Sequence, residues 1–173
     1  MKRNITIITI ALKVLLIALG IYIGVYFLAG ISEFTFNGSQ VSRALLSYTF
    51  TPIKPTAHWA EGTFMLLYTL LNVYLFNVVN NFRLTLKSLR TSEIFEHDQA
   101  EGFRRAGRGL IIFAKLEYLL ICGFGSVALF DLVTYFTQFV PFMALYIIGK
   151  FILILAEMLK RGELLREETE LTI

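Results

Sequence analysis

The sequence predicts an all-α integral membrane protein, a four-helix bundle with both termini in the cytoplasm. Three observations predict it. Hydrophobic residues fill 56% of the 173 positions, with a mean hydropathy of +0.66, above the apolar usage of soluble domains. Four apolar runs are long enough, at 1.5 Å rise per residue, to cross a hydrocarbon layer about 30 Å thick. Lys and Arg fall almost wholly on one side of those runs, as cytoplasmic segments do.

The runs are residues 5–31, 62–82, 110–130 and 139–159, in a single membrane domain covering 1–173. The first follows MKRN and imitates a secretory signal. Its uninterrupted part, Val14 to Ile31, exceeds the roughly 7–15 residues of a signal core, so it reads as a retained helix. Residues 32–61 form an outer loop, with turn punctuation at Asn37-Gly38, Pro52 and Pro55. Asn37-Gly38-Ser39 also matches a glycosylation sequon, a three-residue pattern that arises readily by chance.

After the second run, helix is expected to continue through Arg90, break around Thr91 and Ser92, and restart near Asp98, where Asp98 and Glu101 have capping-box spacing. This cytoplasmic loop, 83–109, carries Arg104, Arg105 and Arg108 just before the third run, at the level of lipid headgroups. A very short link containing Asp131 makes the third and fourth runs an antiparallel hairpin. The chain ends in a mixed-charge tail, 160–173.

Orientation follows from the cations. Lys2, Arg3, Arg83, Lys87, Arg90, Arg104, Arg105, Arg108, Lys160, Arg161 and Arg166 share the side of the two termini, whereas Arg43 and Lys54 lie opposite. That asymmetry places both termini in the cytoplasm. It also accounts for the net charge of +3 without nucleic acid, and no direct nucleic-acid binding is expected. Tyr26, Trp59, Tyr135 and Phe136 are then expected at the outer boundary.

Ionisable residues inside the runs are the candidate site. A charge at the centre of a spanning helix is unfavourable by about 2.5–3.5 kcal/mol on insertion scales, so such residues turn to protein or water and find partners. Lys13, Glu117 and Lys150 sit at similar depths, and Tyr146, Lys150, Glu157 and Arg161 share one stripe of the fourth helix that is expected to face the bundle. Matching depth predicts a Glu117–Lys150 pair across the hairpin, with Lys13 at the same level. GIYIG, Gly20 to Gly24, is a small-xxx-small pattern that permits close helix approach, and the asparagines Asn77, Asn80 and Asn81 are expected to bridge helices.

Enzymatic chemistry has no support in the sequence. His58 and His97 fall on opposite sides of the membrane, and one cysteine, Cys122, allows neither an intrachain disulfide nor a thiolate metal site. No phosphate-cradling or common hydrolase string is present. No cofactor, metal or catalytic set is expected.

Two stretches carry a likeness. LAEMLKRGELLREETELTI and LRTSEIFEHDQAEGFRRAGRGL resemble the bacterial four-span membrane family called domain of unknown function twenty-nine seventy-five. The matching features are Ala156-Glu157, the Arg161-Gly162 break, the LREE-x-x-LT tail from Leu165 to Thr172, and Phe95 ahead of Arg104 and Arg105. Ser92 and Glu93 depart from the glycine or proline that relatives often carry. The resemblance implies a membrane partner for a small helix-turn-helix regulator, held through the cytoplasmic loop or tail.

Two functions therefore compete. One is a non-enzymatic interaction or regulatory protein that offers a partner the cytoplasmic face around Arg104, Arg105, Arg108 and Arg161. The other is a small transporter, channel or toxin-immunity protein built on Lys13, Glu117, Lys150 and Glu157, as a homo-oligomer because four helices enclose little volume.

Overall fold

Within hydrocarbon a peptide N–H or C=O finds no water, so an apolar chain satisfies its backbone internally and forms long helices. The computed structural model describes residues 2–36, 40–50, 58–91, 97–128 and 133–170. Among the described residues all regular structure is helical: α1 (Lys2–Phe36), α2 (Gln40–Thr49), α3 (His58–Thr91), α4 (His97–Ala128) and α5 (Val133–Glu170). α1, α3, α4 and α5 are each long and apolar enough to cross a membrane. The sequon at Asn37, the prolines Pro52 and Pro55, Phe95, the Asp131 link and the Asp98 side chain lie outside the described residues.

The helices outrun the apolar segments. α3 continues past residue 82 to Thr91 and α4 begins at His97; residues 92–96, where the break is expected, lie outside the described residues. α5 starts at Val133, ahead of the apolar run, and contains Pro141, a residue that spanning helices tolerate. The segment read as an outer loop holds a helix of its own. In α2 and the residue after it, Leu46 and Phe50 are four apart and both buried, so one face of this short helix is apolar.

Two clusters fix the arrangement. At one end Tyr26 and Ala29 of α1, Leu46 and Phe50, Phe64 and Met65 of α3 and Ile121 of α4 pack together. At the other, Leu86 of α3, Phe103 of α4 and Ala156 of α5 pack with Leu12 of α1. The start of α1, the end of α3, the start of α4 and the end of α5 therefore share one end of the molecule, here the termini end. α2 caps the opposite end, where the Phe50 ring meets Phe64 and Phe124 with centroids 5.4 Å away in each case.

The bundle is open. α4 and α5 pack most extensively on each other, as do α1 and α3, and a smaller α3–α4 contact joins the two pairs. In the most apolar stretch of each helix, 39% of residues are buried in α3, 28% in α4, 22% in α1 and 11% in α5, so α1 and α5 are the outer members. Close approach occurs at Gly107 and Gly149, where a Cβ on Gly107 would lie 2.9 Å from the Gly149 carbonyl oxygen. Further along the same hairpin the Tyr118 hydroxyl donates to the Tyr135 carbonyl at 3.3 Å, and the Ser126 and Tyr135 hydroxyls bond at 2.8 Å.

Two expectations fail here. Gly20 and Gly24 have open space where a Cβ would stand, because α1 meets α3 through the face bearing Leu16, Tyr26 and Ala29 instead. Tyr26 is buried rather than in an aromatic belt, with its ring 5.2 Å from that of Tyr68. Trp59 and Phe136 are exposed near helix ends, as belt residues are.

Candidate functional site

The four intramembrane candidates do not assemble. On α5 the residues that meet α4 include Gly149, Leu153 and Ala156, whose spacing keeps them on one face. Lys150 and Glu157 each follow one of these by a single residue and are turned about 100° away. Of the stripe expected to face the bundle, Lys150, Glu157 and Arg161 are consequently exposed, and Tyr146 is half-buried. Lys150 Nζ lies 5.6 Å from the Tyr146 ring centroid, a cation–π contact within its own helix. Glu157 accepts from Arg161 one turn on, at 3.3 Å.

Glu117 faces the other way. Its neighbour Tyr118 points at α5, with its ring 4.9 Å from Phe142, and the 100° step between them carries Glu117 towards α3 and α1. There the Tyr68 hydroxyl donates to Glu117 Oε1 at 3.3 Å, and the Tyr22 hydroxyl donates to Tyr68 at 3.4 Å. The expected Glu117–Lys150 pair is not formed among the described residues. Lys13 is separate again, lining a hollow of about 510 Å³ with Leu16, Ile17, Phe76, Asn80 and Arg83 between α1 and α3.

The Tyr22, Tyr26 and Tyr68 rings surround this chain of hydroxyls, with centroids 4.5, 5.2 and 6.2 Å apart. Asn77, expected to bridge helices, bonds within its own helix instead, as Asn72 does. Asn72 Nδ2 donates to the Tyr68 carbonyl at 2.8 Å and Asn77 Nδ2 to the Val73 carbonyl at 3.1 Å, both within α3. Tyrosine hydroxyls therefore supply the polar link from α1 through α3 to α4. Glu117→Gln is expected to couple to Tyr68→Phe by about 0.6 kcal/mol, typical of a membrane-buried hydrogen bond. It should not couple to Lys150→Met. A double-mutant cycle on unfolding in detergent measures both, and coupling only to Lys150 would contradict the geometry.

The arginine candidates divide into two groups. Arg105 holds Glu101 at 3.5 Å and Arg161 holds Glu157 at 3.3 Å, each an exposed pair one helical turn apart. Arg104 and Arg108 instead line a groove of about 340 Å³ between α4 and α5, with Ala100, Glu101, Leu153, Ala156, Glu157 and Lys160. The groove occupies the termini end, one turn beyond the Gly107–Gly149 contact.

Sequence reasoning missed two buried carboxylates. Glu33 near the end of α1 and Glu61 at the start of α3 are 1% and 2% exposed, although both flank apolar runs where ionisable residues usually reach water. It also missed the tyrosine chain. Tyr22 and Tyr26 are four apart on α1 and so share a face, and that spacing was the available signal.

A family model for a protein of unknown function (DUF2975) matches residues 44–173. The chain belongs to the DUF2975 family. No curated protein and no solved structure matches it. The DUF2975 match takes in all of α3, α4 and α5, and with them every groove residue, Tyr68 and Glu117. Lys13, Tyr22 and Tyr26 on α1 lie outside the matched DUF2975 segment.

Proposed function

We propose that this DUF2975 member is a non-enzymatic, multi-pass protein of the bacterial cytoplasmic membrane that docks a soluble regulator on its termini end, which faces the cytoplasm. The cation asymmetry supports that orientation. The observation that carries the docking role is the continuation of helix beyond the apolar runs at this end, α3 to Thr91, α4 from His97 and α5 to Glu170. Arg105 and Arg161 stand on these rigid extensions with side chains 77% and 75% exposed. Such a platform suits a protein surface with complementary acidic groups.

The partner class this reading favours is a small helix-turn-helix regulator, as the family resemblance carried by the tail and loop motifs implies. The test is affinity purification of the tagged full chain from native membranes in mild detergent. A stoichiometric small helix-turn-helix protein is expected, and removing residues 162–173 should reduce its recovery at least about tenfold, a loss of roughly 1.4 kcal/mol in affinity. Recovery of no such protein above a tag-only control, or recovery unchanged by the deletion, would overturn the docking role. Reporter fusions placing the two termini on the outer face would overturn the orientation.

A further inference from the structure

We propose that the groove between α4 and α5 is a binding site for the phosphate headgroup of an anionic phospholipid. Three cations line it: Arg104 and Arg108, which are four apart on α4, and Lys160 on α5. None of the three has a hydrogen bond or ion pair with another described residue. The two carboxylates in the lining, Glu101 and Glu157, are each already held by a different arginine, Arg105 and Arg161. The groove therefore presents an excess of positive charge, three cations against two carboxylates that are each shared with an arginine outside the lining.

Its shape and place select the ligand. Ala100 and Ala156 are small and buried, so they form a floor over which the long cationic side chains can close. Guanidinium groups give planar, bidentate donors to phosphate oxygens, and the lysine adds a point charge. The groove sits where the apolar run of α4 begins at Leu110 and that of α5 ends at Leu159, the level of headgroups. On the hydrocarbon side Leu153 continues the lining, and Ile154 and Phe151 are exposed beside it, a path for acyl chains that a free anion would not need. Basic pockets between spanning helices at the inner face are suited to acidic headgroups.

The site stands independently of the docking role, because Arg105 and Arg161, which carry that role, are not among the residues that line the groove. The full chain, exchanged into nanodiscs of phosphatidylcholine with a minor fraction of phosphatidylglycerol, is released into detergent and its retained lipid measured by native mass spectrometry. Retention of phosphatidylglycerol over phosphatidylcholine is expected. The Arg104→Gln/Arg108→Gln variant should lose that preference by about 30-fold, from two cations each contributing near the surface.

Arg104→Lys/Arg108→Lys should recover part of the preference, and Arg43→Gln, on α2 at the opposite end of the molecule, should leave it unchanged. Equal retention of both lipids, or an equal loss in Arg43→Gln, would overturn the site. Displacement of the retained lipid by millimolar inorganic phosphate would overturn the lipid assignment in favour of a soluble anion. An unchanged unfolding midpoint in the glutamine variant keeps the result independent of folding.

Discussion

Phe50→Ala is expected to lower the unfolding free energy of the detergent-solubilised protein by about 3–5 kcal/mol, the usual loss for truncating a buried phenylalanine. Phe50 is 1% exposed and lies against Phe64 and Phe124, so its removal opens a cavity among three helices. The ring also anchors α2, a ten-residue helix too short to be stable alone. The mutant should therefore show loss of protection at α2 as well as a lower midpoint. Tyr48, 88% exposed on the same helix, supplies the control, since Tyr48→Ala should change little. A loss below about 1 kcal/mol for Phe50→Ala would mean that α2 is not held where it is described.

Gly149→Leu is expected to separate α5 from α4, with a loss of about 1–3 kcal/mol from overpacking. A Cβ at this position would stand 2.7 Å from the Ile111 side chain and 3.1 Å from the Gly107 carbonyl oxygen. The side chain can rotate away, but the backbone carbonyl cannot. Gly20→Ala and Gly24→Ala, with nothing within 4 Å of the new atom, should be neutral or slightly stabilising because alanine is the better helix former by about 1 kcal/mol. Denaturation by increasing SDS in mixed micelles, together with cysteine crosslinking across the hairpin, reads both sets. Reversal of the order, with Gly20 sensitive and Gly149 tolerant, would place the tight helix contact on α1.

These paired glycines show why some of the structure was legible and some was not. Helix existence was readable because hydrocarbon leaves an apolar backbone no alternative, and the four runs declare themselves by length. Facing direction was not. Lipid tails are as apolar as leucine, so the pattern of hydrophobic residues does not distinguish a flank that meets lipid from one that meets protein. Gly20-xxx-Gly24 and Gly107 with Gly149 are equally suggestive in sequence, yet only the second pair is a contact.

The candidate site suffered from the same ambiguity. Depth is a function of distance along the chain, and on that coordinate Glu117 and Lys150 match. Azimuth depends on which helices neighbour each other, and one residue changes it by about 100°. Tyr118 and Gly149 occupy the shared hairpin seam, so the charged residues beside each of them were carried off it in different directions. The arginine pairs were closer to legible. Glu101 with Arg105 and Glu157 with Arg161 obey the i, i+4 rule, which by elimination leaves Arg104 and Arg108 available.

The open order of the helices sets how the molecule should tolerate change. A residue on the bare flank of α5 or α1 trades one acyl-chain neighbour for another when it is replaced, whereas a residue of α3 is jammed between polypeptide on more than one side. Sequence drift should thus grow outward from the middle pair, with the rim helices free to adapt to whichever lipids their host makes.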